Sequence, residues 1–271
     1  MTGTGLLICL KGIVMRELLR FLYQRARFFA ALVRPLIWLL IFAAGFRAAL
    51  DLPVMPPYAR PITYETYIVP GLIGMIQLFN GMQSALSMVY DREMGSMKIL
   101  LVAPQPRWYL LTCKLLAGTA VSIVQVYAFL LIAGLFAIRV PPLGAVAILP
   151  ALVVSGLMLG AIGLFMSSAI RQLENFAGIM NFVIFPMFFL SSALYPITQI
   201  AESNALLAAI CRANPFTSAV ELIRFALYLQ LNLAAFAATA AGLVIFLTLA
   251  IIGYSPTRGL IQRGVKPPGG E

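Results

Sequence analysis

Long apolar runs constrain this chain more than any other feature of its sequence. Several of them reach about 20 residues, the length that an α-helix needs to cross the roughly 30 Å hydrocarbon core of a bilayer. Of the 271 residues, 62% are hydrophobic and only 10% are charged. A soluble domain of this size cannot bury so much apolar surface. The sequence therefore predicts an all-α membrane protein with no large soluble domain.

The apolar pattern predicts six transmembrane helices within one domain that comprises residues 1–271. Their expected ranges are 35–50, 67–89, 115–138, 145–169, 176–194 and 236–253. Residues 1–34 then form a segment before the spans, 35–254 hold the spans, and 255–271 form a tail. No fixed-period repeat is visible along the chain.

The segment before the first span has the pattern of an amphipathic helix. Its polar side collects five residues at helical spacing, namely Arg16, Arg20, Gln24, Arg27 and Arg34. Apolar residues such as Phe21 lie on the opposite side. We expect this N-terminal helix to lie in the headgroup layer of the membrane. Its basic side either anchors the chain by charge alone or also borders a partner protein.

Basic residues set the predicted orientation. If the N-terminus is inside, the outer segments hold only five of the 19 Lys and Arg residues, namely Arg47, Arg60, Arg139, Arg212 and Arg224. The positive-inside rule therefore predicts that both termini are cytoplasmic. The net charge is +10, but the basic residues flank the apolar spans and form no dense patch. This distribution indicates anionic membrane lipids as the binding partner of these residues, and no nucleic acid.

A short segment of mixed charge separates the second and third predicted spans. It consists of Asp91, Arg92, Glu93, Met94, Gly95, Ser96, Met97 and Lys98, and an apolar turn follows it up to Pro104. Unpaired charges of this kind cannot lie in lipid, so the segment belongs in water at a membrane face. The mixture of charge signs, the apolar turn and the close approach that Gly95 permits favour a short contact helix over a solvated loop.

Residues 205–229 are apolar but carry three charges and a break at Asn214-Pro215. A full span would bury those charges at a cost of about 2.5–3.5 kcal/mol each. Two half-length helices that enter from outside would avoid most of that cost, and Glu221 and Arg224 could pair at i, i+3. The sequence leaves the full span open as the alternative. The predicted external re-entrant region comprises Tyr195, Pro196, Asn214, Pro215, Glu221 and Arg224.

Three motifs resemble the membrane subunits of type-two ABC exporters, the permeases that export drugs, polysaccharides and lipo-oligosaccharides. The first runs from Asp91 to Ser96 and continues to Pro104 and Arg107. The second runs from Asn181 through Pro186 to Tyr195-Pro196, and the third is Asn214-Pro215-Phe216-Thr217 with Arg224 after it. Two positions depart from the family pattern, because Ser192 replaces the usual glycine and Lys98 stands where an acid is common.

The resemblance implies a permease of the bacterial inner membrane that works as a dimer with two ATPase subunits. Residues 91–98 would belong to the cytoplasmic coupling helix that contacts the ATPase. No Gly-x-x-x-x-Gly-Lys-Ser/Thr loop is present in the sequence, so ATP and Mg²⁺ would be bound by the ATPase partner. The sequence has no histidine and only three scattered cysteines, which excludes His-based catalytic triads and predicts no metal site. The resemblance to a transport subunit implies no cofactor and no enzymatic activity of this chain.

Polar residues within the second and fifth spans are candidates for a substrate pathway. They are Gln77, Asn80, Ser84, Asn181, Ser191 and Ser192, together with Pro186, which can kink its helix. Buried amides in a membrane face either a neighbouring helix or a cavity. These residues therefore either join helices or line a pathway at the seam of the dimer. A drug, a lipid or a saccharide amphiphile would fit such a pathway about equally.

An ion-coupled secondary transporter or channel is the alternative function. Proteins of that class usually carry ionisable residues within their spans. No acidic residue lies centrally in any predicted span. An intramembrane enzyme is less consistent with the sequence, because His-Glu-x-x-His and Gly-x-Ser-x-Gly are both absent.

Overall fold

The computed structural model describes residues 3–23, 25–46, 55–94, 106–136, 141–170 and 172–254. Throughout these ranges the regular structure is α-helical. In chain order the helices are α1 (Gly3–Tyr23), α2 (Arg25–Phe46), α3 (Tyr64–Glu93), α4 (Arg107–Leu135), α5 (Pro142–Ala147), α6 (Leu149–Ala169), α7 (Leu173–Phe189), α8 (Ile197–Ser203), α9 (Ala205–Ala213), α10 (Pro215–Leu227) and α11 (Leu233–Gly253).

Four of the described helices, α3, α4, α6 and α11, are long and apolar enough to cross a membrane. The bent pair α9–α10 makes a fifth if it counts as one span. Six spans are therefore not confirmed. Among the side chains that the structure describes, the apolar stretch of α2 is Leu32–Phe42. Helix α7 ends after 17 residues because the chain leaves the helix at Leu190.

Helix ends follow local sequence signals that shift the predicted boundaries. Pro215 occupies the first turn of α10, where its missing N–H leaves no hydrogen bond unmade, and the Asn214 side chain caps the same end. The Asn204 side chain caps α9 by accepting from two backbone N–H groups. The predicted fourth span begins later than expected, because the short α5 occupies the residues before Leu149.

Helix α3 is the centre of the bundle, and its closest neighbour is α6. The two helices meet through glycines: a Cβ atom on Gly81 would lie 2.8 Å from the Cα atom of Gly160. A Cβ atom on Gly163 would lie 2.9 Å from the carbonyl oxygen of Gly81. Small residues are what allow two membrane helices to approach this closely. Helices α2, α4, α7 and α10 also contact α3.

Candidate functional site

Arg92, in the last turn of α3, joins three helices at one end of the bundle. Its Nη2 atom donates to the carbonyl oxygen of Ser167 at 2.6 Å and to the Tyr254 hydroxyl at 3.0 Å. Its Nη1 atom donates to the carbonyl oxygen of Ile170 at 3.3 Å. Arg92 thus binds the carbonyls that the C-terminal end of α6 leaves free, which suits a cation because that end of a helix is partially negative.

The residues on either side of Arg92 contact two further helices. The Glu93 carboxylate accepts from the backbone N–H of Leu173, the first residue of α7, at 3.2 Å. The Asp91 carboxylate lies 3.4 Å from the Nζ atom of Lys114 on α4, whose side chain is buried. We call Asp91, Arg92, Glu93, Lys114 and Tyr254 the Arg92 cluster. Together they connect α3 to α4, α6, α7 and the end of α11.

These contacts change the interpretation of the mixed-charge segment. Asp91, Arg92 and Glu93 belong to the long helix α3, and Met94 is its C-cap residue, so these four do not form a separate short helix. Gly95, Ser96, Met97 and Lys98 lie outside the residues that the structure describes. The acid-Arg-acid motif therefore contacts its own bundle, while Glu93 and Met94 remain exposed.

A second cluster lies at the opposite end of α3. The Arg224 side chain on α10 is 3% exposed, pairs with the Glu221 carboxylate, and donates from Nη2 to the carbonyl oxygen of Ser192 at 2.7 Å. Its guanidinium also stacks on Tyr67, 4.3 Å from the ring centroid. The Tyr67 hydroxyl donates to the same Ser192 carbonyl at 3.0 Å. We call Tyr67, Ser192, Glu221 and Arg224 the Arg224 cluster.

Between α7 and α8 the chain is not helical, and distant side chains bind its backbone. The Asn214 amide donates to the carbonyl oxygens of Met187 and Leu190, at 2.8 and 2.6 Å. The Tyr64 hydroxyl donates to the carbonyl of Leu194 at 2.9 Å. The prediction that Ser191 and Ser192 lie on the fifth span is therefore wrong, because helix α7 ends at Phe189.

The remaining residues of the predicted re-entrant region surround this turn. Tyr195 and Pro196 complete the non-helical segment, and the Tyr195 hydroxyl donates to the carbonyl of Phe189. Helices α9 and α10 are bent by 76° at Asn214, as the predicted hinge requires.

Tyr58 packs edge-on against Tyr228 with ring centroids 4.8 Å apart. Burial raises the pKa of Tyr58 well above its usual range, so this phenol stays neutral.

The predicted pathway residues on α3 lie inside the bundle. The Gln77 amide donates to the carbonyl of Leu152 at 2.7 Å and accepts from the Ser155 hydroxyl at 2.6 Å. Asn80 donates to the side chain of Gln125 on α4. Ser84 and Asn80 line a cavity of about 30 Å³, which holds a water molecule but not a drug-sized ligand of several hundred Å³. In this structure the α3 amides join helices.

The structure does not bring these α3 residues together with those on α7. Asn181 and Pro186 are exposed on the outer face of α7, together with Ile179, Phe182 and Phe185. Phe182 is the most exposed of these apolar residues, at 78%. Phe176, Met180, Ile184 and Phe188 occupy the inner face. The predicted pathway set therefore divides into interior residues and an open face of α7.

Sequence reasoning gave no role to Tyr67 and Tyr254 in these clusters, and it placed Lys114 at the end of the first motif without identifying its partner. A lysine ten residues past Pro104, and tyrosines near the ends of spans, carry no pattern that identifies their partners. Only the cation–π and ion-pair geometry in the fold identifies them. Among the described residues, no group of three or more His, Cys, Asp or Glu side chains is placed to hold a metal ion.

Comparison with known proteins agrees with this architecture. The sequence model that describes ABC-2 type transporters matches residues 9–228. The chain is similar to the putative transport permease ycf38 of Porphyra purpurea, at 26% identity over 80% of this chain and 72% of that protein. The same permease of Cyanophora paradoxa is 26% identical over 72% of this chain and 66% of its own length.

A bacterial relative aligns with a shorter part of this chain than the ycf38 permeases do. The probable multidrug ABC transporter permease YbhR of Escherichia coli K12 is 31% identical over 54% of this chain, which corresponds to 40% of that permease.

Proposed function

The chain belongs to the ABC-2 type transporter family and is a membrane subunit of an ABC transporter, and we propose that it forms the substrate pathway of an exporter, as a dimer bound to separate ATPase subunits. ATP and Mg²⁺ would be bound by those subunits. The proposed cargo is an amphiphile, drug-like, lipidic or saccharide-bearing. The observation that carries the proposal is the Arg92 cluster, which ties the family's charged motif to four helices.

The Arg92 cluster supports a coupling role by its connectivity. A force applied to the chain just after Glu93 would reach α6 and α11 through Arg92, α7 through Glu93 and α4 through Asp91 and Lys114. We propose that residues 95–105 contact the ATPase, and that Asp91, Arg92 and Glu93 are positioning residues that pass its movement to the bundle.

The proposed orientation places the Arg92 end of the bundle in the cytoplasm of a bacterial cell, at the inner membrane, with both termini on that side. The Arg224 end then faces outward, and α9 and α10 form the external re-entrant hairpin. Three features support this arrangement: the distribution of basic residues, the 76° bend at Asn214, and the burial of Arg224 against protein.

We propose that the outer face of α7 lines the pathway and contacts the second copy of the permease. It exposes Asn181, Phe182 and Phe185 together, which mixes an amide with large apolar surface. The first turns of α7 also line an open surface depression next to the end of α6. Gln77, Asn80 and Ser84 would contribute only if the bundle opens.

Crosslinking tests the dimer. In a Cys9→Ser background, Phe182→Cys is expected to form a disulfide-linked dimer upon mild oxidation in membranes, because two copies of α7 would face each other. Val244→Cys on α11 is a matched control, since Val244 is 64% exposed on a different surface. Equal dimer yields for the two variants would contradict an α7 interface.

Replacing Glu93 by glutamine tests the coupling role. We expect cargo transport by the permease–ATPase complex to fall about tenfold, because the contact with the start of α7 is weakened, while ATP hydrolysis changes less than twofold. Glu202→Gln, an exposed carboxylate on α8, should leave both rates unchanged. Full transport by Glu93→Gln would reject the role of Glu93, and transport driven by an ion gradient without any ATPase would favour the secondary-transporter alternative.

A further inference from the structure

Three long helices locate the middle of the membrane within the bundle. The midpoint of α6 is Leu159, and Met158 beside it lies 3.3 Å from the Cβ position of Gly242 at the middle of α11. Gly160, the next residue of α6, contacts Gly81 of α3. Since each helix must centre its apolar length on the bilayer, the midplane passes close to Gly81.

A positively charged side chain lies at this depth on the surface. The Cζ atom of Arg34 on α2 is 4.0 Å from the ring centroid of Phe79, which precedes Gly81 by two residues. Arg34 is exposed in the described structure. Its guanidinium is therefore not in the headgroup layer, where the amphipathic pattern of the N-terminal segment places it, but near mid-depth.

Arg34 has no carboxylate partner among the described residues. The chain has nine acidic residues, and all except Asp51 and Glu271 lie in the described ranges. None of those described comes within 4.0 Å of the Arg34 guanidinium, whereas Lys114 and Arg224 each have one. A charge at this depth is costly in lipid tails, so a guanidinium without a described carboxylate partner favours a space lined by protein or water.

Aromatic contacts show that the part of α2 next to Arg34 packs against α7. Trp38, one helical turn after Arg34, packs against Phe188 and Phe189 of α7, at 6.4 and 6.0 Å between ring centroids. Phe189 in turn stacks on Phe185 at 6.4 Å. Trp38 follows Arg34 by four residues, as Phe189 follows Phe185.

The two helices also run in the same direction from the Arg92 end. The start of α7 is bound by Glu93, and Trp38 is further from that end than Arg34. Arg34 and Phe185, both exposed, therefore lie at the same level on α2 and α7, and Phe79 contacts Arg34. We call the surface between these three residues the α2–α7 groove.

We propose that Arg34 binds the anionic group, a phosphate or carboxylate, of an amphiphile that this groove admits. A guanidinium matches the two oxygens of either group, and the exposed rings of Phe182 and Phe185 suit an apolar chain. This inference rests on the proposed pathway along α7 and narrows its cargo to anionic amphiphiles. Neutral saccharides without a charged carrier do not use the site.

Trp38 reports directly on this groove. In a Trp108→Phe background it is the sole tryptophan, since the chain has two. The purified permease is placed in nanodiscs with increasing fractions of brominated phosphatidylglycerol or brominated phosphatidylcholine, whose bromines quench tryptophan fluorescence. We expect the anionic lipid to reach half-maximal quenching at an at least threefold lower mole fraction. Arg34→Gln should abolish that preference, and Arg34→Lys should retain part of it.

Two controls make the result specific. Arg60→Gln, an exposed arginine outside the helices, should keep the full preference. Adding dodecyl phosphate then distinguishes the two sources of the anion. If it relieves the quenching, the site binds a dissolved amphiphile; if it does not, the site binds bilayer phospholipid. Both outcomes support binding of an anion by Arg34. Equal quenching by the two lipids in the unmodified protein, or an unchanged preference in Arg34→Gln, overturns the proposal. Because no ATPase is present, failure of the proposed ATPase pairing leaves this result unaffected.

Discussion

Replacing Arg224 by methionine is expected to destabilise the protein by about 3–5 kcal/mol, the range found when one partner of a buried ion pair is removed. Methionine replaces the aliphatic stem of arginine but has no charged head group, so it leaves the Glu221 carboxylate without its cation. It also removes one of the two donors to the Ser192 carbonyl and the cation on Tyr67. All three contacts surround the turn that follows α7, because both Arg224 and Tyr67 donate to its Ser192 carbonyl.

The buried thiols provide the measurement. Cys211 on α9 and Cys113 on α4 are at most 1% exposed and unpaired, so a thiol-reactive fluorophore labels them only as the protein unfolds. In a Cys9→Ser background, Arg224→Met should lower the temperature of labelling markedly. Arg212→Met, at an exposed arginine of α9, should change stability by less than about 0.5 kcal/mol.

A double variant separates charge from packing. Glu221→Gln combined with Arg224→Met leaves no lone charge, so it should destabilise less than the sum of the single variants. Strict additivity would show that Glu221 and Arg224 do not interact, and an unchanged labelling temperature for Arg224→Met would show that the cluster does not stabilise the fold.

Gly81→Ala is the second change with a large expected effect, a loss of about 1–3 kcal/mol from overpacking. The added Cβ would lie 2.8 Å from the Cα atom and 3.0 Å from the backbone nitrogen of Gly160. Backbone cannot rotate away as a side chain can, so α3 and α6 must separate. We expect a lower labelling temperature for Cys113.

Two other glycines are matched controls for this prediction. A Cβ atom on Gly160 would meet the Cδ1 atom of Leu115 at 2.6 Å, and the flexible end of that side chain can move, so Gly160→Ala should be milder. Gly12 in α1 has nothing within 4 Å of its Cβ position. Gly12→Ala should be neutral or stabilising by up to about 1 kcal/mol, because alanine favours helix. A Gly81→Ala variant as stable as Gly12→Ala would contradict backbone contact between α3 and α6.

Part of this architecture follows from local sequence. Continuous apolar runs predict α3, α4, α6 and α11, because length and hydropathy alone determine whether a helix can span. The break between α9 and α10 follows from Asn214-Pro215, since asparagine caps a helix and proline begins one. The i, i+3 pairing of Glu221 with Arg224 was predicted in the same way.

The end of the fifth predicted span could not be read from sequence. Apolar residues continue to Leu194, yet the helix stops at Phe189 because Asn214, Tyr64 and Tyr67 supply donors to the unwound backbone. Those donors lie far away in the chain. The same limit applies to Asp91, Arg92 and Glu93, whose charges predict exposure to water but whose actual partners lie on four other helices. The hydrophobic periodicity of a sequence does not identify side-chain partners that lie far away in the chain.

The glycine contact between α3 and α6 restricts how the molecule can change shape. Two helices whose backbones touch cannot rotate about their axes or slide by one turn without collision, so α3 and α6 move as one rigid pair. Arg92 and Tyr254 join this pair to the end of α11. In the proposed exporter, alternation between open and closed forms would then occur as a tilt of α3 and α6 together relative to α2 and α7.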